Sequence, residues 1–78
     1  MASGVRPRVL LGRDLQIVAQ RADAIELEGA IRLRPGREVD LILRTAEAVV
    51  IRRAVVWQWA VATVGSGGPV FRGVCGWV

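Results

Sequence analysis

Ala24-Ile25-Glu26-Leu27-Glu28-Gly29-Ala30-Ile31-Arg32-Leu33-Arg34-Pro35-Gly36-Arg37-Glu38-Val39-Asp40-Leu41-Ile42-Leu43 carries the cleanest β pattern in the chain. From Ala24 to Arg34, Ile25, Leu27, Gly29, Ile31 and Leu33 fall on one face, and Glu26, Glu28, Arg32 and Arg34 on the other. Strict period-two alternation is what a strand with one buried face produces. A glycine on the inward side, Gly29, predicts a bulge or tight bend of the kind barrels use to close. Arg34-Pro35-Gly36-Arg37 predicts a turn, because Pro presets φ at the second position and Gly permits positive φ at the third. The next strand places Val39, Leu41 and Leu43 inward, with Glu38, Asp40 and Arg44 outward. The two strands read as a hairpin with opposite charges across it, each exposed pair contributing about 0–1 kcal/mol.

C-terminal to this stretch, Ala48 to Val64 is a long β-rich run. Val49, Ile51, Val55, Trp57, Trp59 and Val61 share one face; Val50, Ala54, Val56, Ala60 and Ala62 share the other. Two apolar faces predict a central strand or one half-covered by a partner. Arg53 interrupts the heavier face, and a bulge near Arg52-Arg53 would restore the pattern. Gly65 to Pro69 is a turn, and Val70 to Val78 a last strand. Towards the N-terminus, Val9 to Leu11 reads as a short strand ended by Gly12. Asp14 to Gln20 alternates like a strand, while the Ala-rich continuation leaves a short helix open over residues 14–24; its β-branched residues favour strand. The sum is an all-β chain: a small antiparallel six-stranded β-barrel over residues 8–78, preceded by a flexible arm over 1–7.

Seventy-eight residues lie near the lower limit for an independent domain. A chain of this size buries roughly 60% of the surface its unfolded form exposes. A hydrophobic content of 53% with three Trp implies a dense core or apolar surface kept for a partner. The net charge is +4, and all eleven basic residues are Arg. Guanidinium groups suit phosphate; GC-rich coding bias gives the same composition. Seven carboxylates are interspersed and no basic tail forms, so nucleic acid is disfavoured as a partner. A single cysteine, Cys75, allows no internal disulfide and suggests a reducing, cytoplasmic compartment. No secretory leader is expected in Met1 to Arg8. The uncharged run Ala54 to Phe71 is too interrupted by Gly, Ser and Pro for a membrane helix of about 20 apolar residues.

Catalysis is disfavoured by inventory. There is no His for general acid–base work, and none to activate Cys75, which reads as a small buried strand residue. Glu26 and Glu28 share a strand face, as solvated charges do. No clustered Cys, His or acidic loop offers a metal site, so no catalytic residue, metal or cofactor is expected. Trp57 and Trp59, two apart on a strand, should point the same way. They are a base-stacking platform or, preferably, core or dimer contacts. Arg6, Arg8 and Arg13 could fold over a phosphate ligand, or belong to a solvated terminus.

Leu33-Arg34-Pro35-Gly36-Arg37-Glu38-Val39-Asp40-Leu41, Arg53-Ala54-Val55-Val56-Trp57 and Phe71-Arg72-Gly73-Val74 together resemble the PilZ family. The resemblance runs from about Asp14 to the C-terminus. It implies a bacterial six-stranded β-barrel, and many members of that family bind cyclic di-GMP. They do so through an RxxxR arm and a D/N-x-S-x-x-G segment. This chain has no RxxxR: its arm offers Arg6 and Arg8, then Arg13. In Asp14-Leu15-Gln16-Ile17-Val18-Ala19 only Asp14 matches; Gln16 replaces the serine and Ala19 the glycine. Larger side chains there should obstruct a guanine base. The resemblance thus implies a degenerate member whose nucleotide binding is weak or lost, acting through a protein partner or as a homodimer. If binding survives, Arg6, Arg8, Arg13, Asp14 and Gln16 would carry it.

Overall fold

The computed structural model describes residues 7–78. Six strands follow in order: β1 (Arg8–Leu10), β2 (Leu15–Gln20), β3 (Ala24–Gly29), β4 (Glu38–Arg44), β5 (Val49–Gly65) and β6 (Gly68–Trp77). They form one curled sheet in the order β1-β4-β5-β6-β3-β2. No described residue is helical, so residues 15–20 are strand and the helical alternative falls. The edge strands β1 and β2 are neighbours in sequence. A corner as short as Leu11–Asp14 can join them only because the sheet curls on itself, and a Leu11–Leu15 bridge marks that seam. The fold is therefore a barrel-like half-barrel whose core lies on the concave side.

The corner owes its shape to Gly12 and Asp14. Gly12 has φ 87°, a conformation other residues rarely adopt. The Asp14 amide donates to the Leu10 carbonyl at 2.8 Å, and the Leu10 amide donates to Asp14 Oδ2 at 3.1 Å. The carboxylate thus satisfies a backbone donor within its own turn, a common role for Asp.

Period-two burial holds over much of the Ala24–Leu43 stretch, with Asp40, expected outward, buried between Val39 and Leu41. Ile25, Leu27, Leu33, Val39 and Leu41 are buried, while Arg32, Arg34 and Glu38 are exposed. The Arg34–Arg37 turn also forms: the Arg37 amide donates to the Arg34 carbonyl at 3.1 Å, and Gly36 has φ 87°. The expected hairpin around it does not form. β3 ends at Gly29 and pairs with β2 and β6; β4 pairs with β1 and β5. Residues 30–37 are instead a crossover that closes one end of the half-barrel with Leu33. Its turn docks on β5, where Gly36 donates to the Val56 carbonyl (2.6 Å) and Val56 donates to the Arg37 carbonyl (2.9 Å). Alternation specifies which face a residue occupies; it does not specify which strand lies alongside.

Two further expectations are corrected. The sheet is not wholly antiparallel, because β1 runs parallel to β4, with Val9 opposite Leu41. Nor is there a bulge at Arg52-Arg53, where the β4–β5 register is regular. The face carrying Val49, Ile51, Arg53 and Val55 is the outer one, so Arg53 fits it and lies 3.9 Å from Glu38. On the inner side, the Arg52 guanidinium sits 4.1 Å above the Trp77 ring, a cation–π contact. The β5 bulges occur later, between Val56 and Gln58 and between Val61 and Thr63; β2 shifts between Ile17 and Ala19. The β2 shift leaves Ile17 and Val18 both exposed. Of the expected arm, Pro7 is described and its carbonyl accepts the Asp40 amide at 3.0 Å. Residues 1–6 lie outside the described residues.

Candidate functional site

The bulge at Trp57 separates the two tryptophans that sequence spacing placed together. Val56 and Trp59 face the core, while Trp57 is half exposed on the outer side. Both rings lie over glycines of β6. A methyl group on Gly73 would come within 1.9 Å of the Gln58 carbonyl oxygen and 2.4 Å of the Trp59 ring; one on Gly76 would meet the Trp57 ring at 2.1 Å. The paired glycines supply the space that lets a bulged strand carry a large ring on each face. Trp59 Nε1 donates to the Ile31 carbonyl at 3.1 Å and ties the crossover to the core. A common stacking platform for bases is thereby ruled out, and of the two only Trp57 is available to a partner.

The residues expected to hold a nucleotide are only partly assembled. Arg13, Asp14 and Gln16 border a shallow hollow of about 300 Å³ with Glu28 and Gly29. Asp14 is occupied in closing its own turn, and Glu28 adds negative charge where a phosphate would lie. Arg8 is elsewhere: it projects from β1 to Asp40, at 3.9 Å, and does not line the hollow. Arg6 lies outside the described residues. Glu28 itself accepts two bonds from Arg72, at 2.6 and 3.1 Å, and holds the Arg72 pKa above its ordinary value.

Two features emerge that the sequence did not single out. The first is the far half of β5. Val49 to Arg53 pair with β4 alone, Ala54 and Val55 with both β4 and β6, and the far half from Trp57 to Gly65 with β6 alone. Among the described residues no strand covers its other edge. That edge, Trp57-Gln58-Trp59-Ala60-Val61-Ala62-Thr63-Val64-Gly65, has no charge, and Val61 and Val64 are exposed. The missed signal was length: seventeen residues of β5 face only seven of β4. The second is a hollow of about 370 Å³ beside the crossover, bordered by Arg32, Arg34 and Arg37 with Pro7 and Ile31. Three arginines within six positions around Pro35-Gly36 were the available signal.

Cys75 is fully buried, and burial pushes its thiol up to about 11, which suits a packing residue and not a nucleophile. Among the described residues no group of His, Cys, Asp or Glu could hold a metal ion, and no helix is long and apolar enough to cross a membrane. No family model, curated protein or solved structure matches this chain.

Proposed function

We propose that this chain is a non-enzymatic, PilZ-like interaction module that works through protein contact, with cyclic di-GMP binding at the Asp14 hollow lost. The observation that carries the reading is the uncharged open edge of β5 from Trp57 to Gly65. Exposed strand edges are ordinarily protected by charge, proline or a covering element, because they template pairing with another chain. Here the edge has none of these among the described residues. Its occupant is a second copy of the chain: an edge of this kind pairs antiparallel with itself across a two-fold axis, satisfying its backbone groups reciprocally. The eroded nucleotide residues support the same reading, since Asp14 is engaged in a turn and Arg8 with Asp40.

Isothermal titration with cyclic di-GMP tests the ligand clause. No heat is expected at about 100 μM nucleotide, and a dissociation constant near or below ~1 μM would contradict it. Sedimentation equilibrium tests the partner clause. Self-association to twice the 8.5 kDa chain mass is expected, and a single 8.5 kDa species at about 100 μM would refute it.

A further inference from the structure

We infer that the hollow bordered by Arg32, Arg34 and Arg37 is a binding site for a di- or triphosphate group. The charge there is unbalanced. Arg8, Arg53 and Arg72 each face a carboxylate, whereas Arg32, Arg34 and Arg37 have no ion-pair partner among the described residues, and no carboxylate lines the hollow. Three guanidiniums around one concavity are matched by a ligand carrying about three negative charges, and guanidinium forks fit phosphate oxygens two at a time.

The backbone beneath these side chains is fixed. Arg37 donates to Arg34 across the turn, Gly36 and Arg37 are bonded to Val56 of β5, and the Ile31 carbonyl is held by the Trp59 indole. Leu33, between Arg32 and Arg34, is anchored in the core. Binding therefore orders side chains alone, which lowers its entropic cost. The volume, about 370 Å³, lies in the range of small-molecule sites, roughly 300–1,000 Å³. Half-buried Ile31 and Pro7 supply an apolar wall on which the organic part of a nucleotide can rest.

The hollow shares no lining residue with the β5 edge or with the Asp14 hollow, so it can be tested without either. The experiment is a titration of the full chain with inorganic pyrophosphate and, separately, with GTP, following the arginine Nε–H resonances at about 150 mM salt, where diffuse surface attraction is screened. Saturable shifts confined to Arg32, Arg34 and Arg37 are expected, with a dissociation constant of about 1 mM or below. Arg34→Gln and Arg37→Gln should each weaken binding about tenfold, the effect of losing a charge-assisted hydrogen bond, while Arg13→Gln leaves it unchanged. Equal affinity for pyrophosphate and GTP would assign recognition to the phosphates alone, and tighter GTP binding would add the apolar wall; both support the site. Non-saturating shifts, or shifts spread equally over Arg13 and Arg44, would overturn it.

Discussion

Replacing Trp59 by Phe should destabilise the protein several times more than the same change at Trp57. Trp59 is 9% exposed, packs on Gly73 and donates to the Ile31 carbonyl; Trp57 is 50% exposed and covers Gly76 from outside. Removing the indole N–H costs a hydrogen bond, about 0.5–1.5 kcal/mol net. Shrinking a buried ring adds a partial-cavity cost, about 1–2 kcal/mol when scaled from the ~3–5 kcal/mol of full truncation to Ala. The sum is about 1.5–3.5 kcal/mol for Trp59→Phe. Trp57 loses no hydrogen bond and half its ring already meets water, so about 0.5 kcal/mol is expected. A domain of this length has a total stability of about 4–12 kcal/mol, so the Trp59 change removes a large share while the Trp57 change is barely visible. Urea unfolding of the three proteins, read by circular dichroism at equal slope, gives both differences. Equal losses at the two positions would refute the bulge that puts the rings on opposite faces.

Gly73→Ala should cost more than any exposed substitution, because its methyl group would meet backbone, the Gln58 carbonyl at 1.9 Å, and not a side chain that can swing away. A loss of about 2 kcal/mol or more in urea unfolding is expected. Cys75 gives a pH prediction with a definite sign. Burial lifts its thiol from 9.0 to about 11, so above pH 9 the unfolded chain releases a proton that the folded chain retains, and stability falls across pH 9–11. The chain has no Lys or Tyr to titrate there, so Cys75→Ala should abolish the slope in a pH series of urea midpoints. The double substitution Val61→Lys and Val64→Lys places charge on the open β5 edge; sedimentation should show loss of self-association with the urea midpoint nearly unchanged, since both residues are exposed.

Much of the fold is legible in the sequence because it depends on local pattern. Ile25, Leu27, Val39 and Leu41 are buried as their alternation requires, and Pro35-Gly36 makes its turn. Pairing was not legible. Leu33 keeps the inward phase of the strand before it, yet it belongs to a crossover, since the same two-residue period serves a strand and a loop tucked into a barrel end. The tryptophan placement failed for a related reason: a bulge at Trp57 is set by Gly73 and Gly76 on another strand, information that residue spacing within β5 does not contain. For the candidate sites, Asp14 stood out only as the single match to the D/N-x-S-x-x-G segment, and its turn role depends on the Leu10 amide coming back to meet it. The arginine hollow depends on the crossover, and so escaped a reading that placed Arg32 and Arg34 on a plain strand.

We propose that the uncharged edge of β5 is where this module meets a second copy of itself. Amide hydrogen exchange along Trp57–Gly65, measured in dilute and in concentrated samples, tests it at the residues concerned. Amides facing away from β6 are expected to slow by at least about tenfold once the protein self-associates, as newly paired strand amides do, while the β4-paired amides of Val49–Val55 stay constant. Exchange along Trp57–Gly65 that does not change with concentration would contradict it.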